Sequence, residues 1–215
     1  MKVRPFKAIR PRNDVASKVA TLPYDVYSEK EARDIVKANP DSFLRIVRPE
    51  TVFPEGTNAS SEEVYIKARD MIEENLANGV MVADEKPCFY IYREIMNGRA
   101  QTGLVACFSV DDYNNGSIKK HEFTRADKED DRTRHIDITN AQTGLIFLAY
   151  KECAEAMEII ASHTAAEPVY DFTSIDGVRQ IVWVVNDEDE VAKIADAFAT
   201  IDAMYIADGH HRSAS

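Results

Sequence analysis

Asn97-Gly98 is the feature that most limits what this chain can become. A tight type I′ turn needs positive φ at both central residues, and Asn-Gly supplies it at low steric cost. Phe89–Met96 on one side and residues 101–110 on the other are rich in β-branched and aromatic side chains. The whole stretch therefore reads as a β-hairpin. Asp176-Gly177 repeats the signal between Tyr170–Thr173 and residues 178–185. Two hairpins commit much of the chain to antiparallel sheet.

The helix signals are equally local. Ser28-Glu29-Lys30-Glu31 has the spacing of a capping box, which predicts a helix from Ser28 that ends before Pro40. Val64, Ala68, Met71, Ile72 and Leu76 recur at helical spacing and Gly79 supplies a stop, predicting a helix over 61–78. An amphipathic helix is expected over 151–163. Another should start at the acidic residues 187–190, where the helix dipole favours negative charge, and run to about Thr200. Residues 3–9, 43–47, 145–149 and 203–207 read as short strands, the third of them buried. The expected class is mixed α/β (α+β), a partly antiparallel sheet with flanking helices. Residues 1–80 are expected to form an N-terminal α/β segment and 81–215 a mixed α/β domain.

Composition narrows the function. With 215 residues, 45% hydrophobic and 29% charged, the chain has the profile of a globular protein rather than a disordered one. Its net charge of −11 makes it a poor partner for nucleic acid or an anionic membrane. No apolar run approaches the roughly 20 residues of a membrane-spanning helix. Met1-Lys2-Val3-Arg4-Pro5 lacks the apolar core of a signal peptide, and Cys88, Cys107 and Cys153 form no Cys-x-x-Cys pair. These features predict a cytoplasmic protein. The glycines include no Gly-x-Gly or Walker spacing, so any phosphate must be held by another kind of loop.

Two segments carry candidate chemistry. In Tyr205-Ile206-Ala207-Asp208-Gly209-His210-His211-Arg212 an apolar strand ends in Asp-Gly, and His-His-Arg follows where a helix would begin. Backbone N–H groups at such a start attract anions, Gly209 permits close approach, and the His and Arg side chains add donors. Asp208 could hold a metal ion or take a proton. The competing reading, of equal weight on these residues, is a turn whose Arg212 pairs with a surface acid. A helix due at this point has few residues left, so the chain is expected to be a piece of a longer protein.

The second segment is Gly116-Ser117-Ile118-Lys119-Lys120-His121-Glu122-Phe123-Thr124-Arg125, continuing through Lys128 to Arg132. A zinc-protease helix needs a second His four positions after the first, and position 125 is Arg. Acids and bases nearly balance over 111–134, the usual mark of a solvated face. The functional reading makes Glu122 a base or metal ligand and the cations neutralisers of phosphate. Pro23-Tyr24-Asp25 reads first as a turn with a ligand role left open, Trp183 reads as core, and His135 stays open.

Landmarks spread in order along nearly the whole chain resemble domain-of-unknown-function family 1015, whose members carry ParB/SpoOJ-like labels. They are Phe6-Lys7-Ala8-Ile9-Arg10-Pro11, Pro23-Tyr24-Asp25-Val26, Asn39-Pro40, Thr102-Gly103-Leu104, Ile118-Lys119-Lys120-His121-Glu122-Phe123-Thr124, Lys128-Glu129 with Asp131-Arg132, and Asp208-Gly209-His210-His211-Arg212. The last is similar to the phosphate-binding loop of the ParB/sulfiredoxin-like fold. That fold is shared by free-serine kinases, sulfiredoxins and chromosome-partition proteins.

The resemblance implies a magnesium-dependent phosphotransferase that makes O-phosphoserine from free L-serine, with pyrophosphate or ATP as donor. Gly209, His210 and Arg212 would hold the donor phosphates, and Lys120, Arg125, Lys128 and Arg132 would neutralise charge. Glu122, Asp208 and His211 would form the catalytic set, with Asp208 and Glu122 on the Mg²⁺. The alternative is a ParB-like nucleotide- or DNA-associated binding protein that transfers nothing. Sulfiredoxin activity would need a cysteine in the loop, and 208–212 contain none. It also implies that family members continue past this segment, so the piece alone is not assured of activity.

Overall fold

The computed structural model describes residues 1–215. In chain order the elements are β1 (Val3–Arg4), β2 (Ile9–Pro11), α1 (Ala16–Val19), α2 (Glu29–Ala38), α3 (Leu44–Val47) and α4 (Glu62–Ala77). There follow β3 (Met81–Ala83), β4 (Phe89–Met96), β5 (Arg99–Val105), β6 (Cys107–Phe108), α5 (Val110–Asn114) and β7 (Ile118–Lys119). The last stretch adds α6 (Ala126–Thr139), β8 (Phe147–Tyr150), α7 (Ala154–His163), β9 (Tyr170–Thr173), β10 (Arg179–Val185), α8 (Glu188–Ala199), β11 (Met204–Asp208) and α9 (His210–Ala214). These make up two compact units. The first comprises Met1–Asn13, Ala83–His121 and Phe147–Asp208, the second Asp14–Val82, Glu122–Ile146 and Gly209–Ser215. No helix is long and apolar enough to cross a membrane.

The first unit is built on an antiparallel sheet of order β5-β4-β10-β9. Both hairpins form as their turn residues predict. Asn97 and Gly98 have φ of 51° and 79°, which joins β4 to β5, and Gly177 at 82° serves the β9–β10 turn. Alternation along β10 puts Ile181, Trp183 and Val185 on the buried face. They pack with Phe89 and Ile91 of β4 against Ile160 of α7 and Ile194 and Phe198 of α8. Each large apolar side chain so buried contributes roughly 1.5–3 kcal/mol. The Trp183 indole N–H donates to the Ala166 carbonyl at 2.9 Å, so the ring is core with its polar edge satisfied. Asp187 caps α8, accepting from the N–H groups of Asp189 and Glu190. A second sheet, β7-β11-β8, pairs β11 parallel to β7 and antiparallel to β8, with a register shift between Ile206 and Asp208.

Three strand expectations need correction. Residues 44–47 are helix, preceded by a turn at Phe43: Arg48 N–H donates to the Leu44 carbonyl at 2.8 Å, closing one turn as α3. Four apolar residues in a run of five, broken only by Arg45, do not distinguish a buried helical turn from a strand, and here Leu44, Ile46 and Val47 all find core. The segment at 145–149 becomes β8, starting at Phe147, and it is an edge strand rather than a buried one; Phe147 is 48% exposed. The second arm of the first hairpin breaks at Ala106. Beyond the break β6 leaves the four-stranded sheet and pairs with β1.

The second unit is helical. The Ser28 capping box is fully formed: its side chain accepts from Glu31 N–H, and the Glu31 carboxylate accepts from Ser28 N–H at 2.9 Å. Ala32 and Val36 of α2 pack with Leu44 and Val47 of α3, and Ile46 packs with Met71 and Ile72 of α4. Helix α6 lies against α4 and α9. The mixed α/β class with antiparallel sheet and flanking helices is therefore the fold observed.

Candidate functional site

The segment that carries the strongest sequence signal does what its residues dictate. Strand β11 ends at Asp208, which is exposed. Gly209 turns the chain with φ 88° and ψ 36°, a left-handed conformation open to glycine without steric cost, and α9 starts at His210. A Cβ at position 209 would stand 2.9 Å from Nε and Nη2 of Arg212, so the torsion favours glycine and any other residue would also displace the guanidinium. Arg212 also fits against a second glycine. A Cβ at Gly144 would lie 3.0 Å from its Cδ.

Within the second unit the charged middle segment meets this terminal one. The Glu122 carboxylate Oε2 lies 3.5 Å from Nδ1 of His210, whose side chain is 6% exposed while that of Glu122 is 62% exposed. Arg125, the residue preceding α6, donates its backbone N–H to His211 Nε2 at 3.1 Å. That bond makes Nε2 the acceptor, so a neutral His211 carries its proton on Nδ1. Ser215 donates to the Glu129 carbonyl at 3.4 Å, a further tie between α9 and α6.

Beside α9 lies a small cleft lined by Tyr24, Arg132, His135, Thr143, Gly144 and Arg212. Helix α6 supplies two of these residues from one face, since positions 131, 132, 135 and 139 recur at i, i+3 and i+4. Arg132 Nη2 bonds Asp131 at 2.7 Å, and its guanidinium lies 4.7 Å from the Tyr24 ring centroid, a cation–π stack. Tyr24 is held by Arg48, whose Nη1 donates to the Tyr24 and Tyr27 carbonyls. Asp131 also accepts from the Tyr65 hydroxyl at 2.6 Å. Burial, helped by that carboxylate, pushes the Tyr65 hydroxyl up to about 12. Burial works to raise the Asp131 carboxyl, but the Tyr65 bond and Arg132 outweigh it and hold it below the usual value.

His135 is the most buried member at 1% exposed. Its Nε2 lies 3.0 Å from the Ile46 carbonyl, which can only accept, so Nε2 carries the proton. Burial holds its pKa below 6.5 against the opposing effect of that bond, which keeps the ring neutral. Nδ1 is then a bare lone pair, and it has no hydrogen-bond partner.

The structure thus brings Glu122, Arg125, His210 and His211 together and sets Arg132 and Arg212 in one cleft. Lys128 is exposed on α6. Lys120 lies in the first unit, its ammonium 3.7 Å from the Tyr113 ring centroid. The Arg125 side chain is turned to Asp127 at 2.8 Å. Tyr24, His135, Thr143 and Gly144 had no distinct signal of chemistry in the sequence. The spacing of Asp131, Arg132, His135 and Thr139 on one helical face was the clue available.

A family model described as protein of unknown function (DUF1015) matches residues 3–215. The chain belongs to this family. The match covers nearly the whole DUF1015 chain, both units and every residue of the cleft. No curated protein and no solved structure matches it.

Proposed function

We propose that this DUF1015 chain is a phosphotransferase acting on a small hydroxyl substrate, with free L-serine the first candidate and pyrophosphate or ATP as donor. The observation that carries the reading is the 3.5 Å approach of Glu122 to His210, which joins a solvent-accessible carboxylate to the Gly209-His210-His211-Arg212 segment. Phosphoryl transfer asks a protein mainly to position groups and to stabilise charge. The likeness of residues 208–212 to the ParB/sulfiredoxin phosphate loop supports placing the donor phosphates there. Arg212 and Arg132 supply fixed positive charge.

In this reading Glu122 accepts the proton of the substrate hydroxyl as its oxygen bonds to the terminal phosphorus, and the bond from that phosphorus to the leaving phosphate or diphosphate breaks. A carboxylate as exposed as Glu122 also suits Mg²⁺, a hard cation that takes one or two carboxylates together with substrate phosphates and waters. Glu122 would hold it from the second unit, and its contribution when bound is to offset phosphate charge. His211, tied to Arg125, fixes the terminal segment against the start of α6.

The test is direct: incubate the full-length protein with Mg²⁺, L-serine and either donor, and follow O-phosphoserine by ³¹P NMR. Product formation supports the proposal. No turnover with either donor across serine, homoserine and threonine overturns it. Donor binding without turnover would instead favour the ParB-like binding protein.

A further inference from the structure

We propose that His121, Glu122 and His210 form a binding site for a divalent transition metal ion of the Zn²⁺ class. One ligand atom from each, an imidazole nitrogen or a carboxylate oxygen, lies within 4.8 Å of the other two. Glu122 Oε2 stands 3.5 Å from His210 Nδ1. A charge-assisted N–H···O bond closes to about 2.7–2.9 Å, so the pair is set wider than such a bond asks. Two ligands on one tetrahedral Zn²⁺, each about 2.0–2.2 Å from it, are about 3.3–3.5 Å from each other. The observed gap matches that edge of the tetrahedron.

The fold prepares the three groups differently. His210 opens α9 directly after Gly209, and its side chain is buried with Nδ1 toward the carboxylate. His121 and Glu122 are exposed. Their Cα atoms are about 3.8 Å apart by covalent geometry, so whatever holds Glu122 at His210 keeps His121 close as well. The residues that follow are braced: the Thr124 hydroxyl donates to the Glu129 carboxylate at 2.9 Å, and Arg125 N–H to His211 at 3.1 Å. The neighbouring cations are turned to partners of their own, Lys120 to the Tyr113 ring and Arg125 to Asp127. Three protein ligands, two of them facing water, leave a position for water or a substrate oxygen.

Donor type selects the ion. Imidazole suits Zn²⁺ and its neighbours in the first transition row, whereas Mg²⁺ takes oxygen ligands and gives up its waters reluctantly. Two nitrogens and one oxygen therefore favour Zn²⁺ over Mg²⁺ at this place. The competing account of the same contact is a plain His–carboxylate pair between Glu122 and His210. Such a pair has no use for His121 and no preference among divalent ions.

The inference deepens the reading above and rests on it only for Glu122 as a metal ligand. Its test uses neither donor nor serine, so Zn²⁺ binding without transfer, or transfer without Zn²⁺ binding, tells the two apart. The full-length protein, ¹⁵N-labelled at histidine and freed of metal by chelation, is titrated with ZnCl₂. The ring resonances of His121 and His210 should move together and saturate at one equivalent, while those of His135 and His163 stay in place. Calorimetry should give Zn²⁺ an affinity at least about 100-fold above that of Mg²⁺. His121→Ala alters an exposed side chain. It should weaken Zn²⁺ by more than the roughly 10–100-fold that losing an outer-shell partner costs. His163→Ala, on α7, should bind as the parent does. No saturable shift at His121 and His210, equal affinity for Zn²⁺ and Mg²⁺, or parental Zn²⁺ affinity in His121→Ala overturns the proposal. The NMR titration is made on the unaltered protein and needs no variant to fold.

Discussion

Gly144 and Arg212 are fitted to each other: the space a methyl group would need on Gly144 is occupied by the arginine side chain, with Cδ 3.0 Å from the Cβ position. Gly144 needs no left-handed backbone, so alanine there strains only the contact. Gly144→Ala should leave the fold intact and displace Arg212 within the cleft. The expected result is anion binding weakened about three- to tenfold, with a thermal midpoint within a few degrees of the parent. Gly209→Ala is the contrast. It meets Arg212 at 2.9 Å and also forces a side chain into φ 88°, adding roughly 1–2 kcal/mol of backbone strain. Calorimetry of the two variants separates space from torsion.

His135 makes stability depend on pH in a known direction. Its folded pKa lies below 6.5, first because burial disfavours the charged ring. Above pH 6.5 both folded and unfolded states are neutral at this position, and the group contributes nothing to the slope. Below it the unfolded chain gains a proton that the folded one resists, so stability falls as pH falls. One such group gives at most about 1.4 kcal/mol per pH unit. An NMR titration of the His135 ring should show a midpoint below 6.5 in the folded chain. Urea unfolding from pH 7 to 5 should show a slope that His135→Gln reduces by about one proton. A midpoint at or above 6.5 would contradict the buried, neutral ring.

The capping box of α2 gives a prediction remote from the cleft. Ser28 and Glu31 satisfy each other's backbone N–H groups, and the Ser28 hydroxyl also donates to the Glu31 carboxylate at 2.6 Å. Ser28→Ala removes the cap on a helix whose Ala32 and Val36 pack on α3. The cost should be about 1 kcal/mol, read by denaturant midpoint, with ligand binding unchanged.

What the sequence disclosed follows the range of the interactions involved. The Ser28 cap, the Asn97-Gly98 turn and the Asp187 cap are settled within four residues, and each appears where the residues imply. Residues 43–47 were misread because a single apolar turn is decided by what it packs against, in this case α2 and α4. Residues 145–149 looked like a buried strand because hydrophobicity does not tell an edge from a centre. For the site, Glu122, His210, His211 and Arg212 were visible as chemistry-bearing types in unusual runs. His135 was hidden inside a charged stretch, and only the winding of α6 shows that it faces inward. Tyr24 joins the cleft through Arg48, a partner 24 residues away that no local pattern announces.

Glu122 and His211 should separate chemistry from positioning. The proposed role of Glu122 is to take a proton from the hydroxyl that attacks, a role worth about 10²–10⁴ in rate for a well-placed base. Glu122→Gln keeps the shape and a hydrogen-bonding oxygen but cannot take that proton. It should lower kcat by about that factor, with any loosening of Mg²⁺ showing separately as a higher KM for the donor. His211 differs, because its Nε2 is already engaged by the Arg125 N–H. His211→Ala frees the start of α6 from the terminal segment, so the donor KM should rise more than kcat falls. Steady-state kinetics on both variants, with donor and acceptor varied in turn, reads the split. If Glu122→Gln raised the donor KM and spared kcat, the carboxylate would be a binding group, and the proton would have to leave by another route.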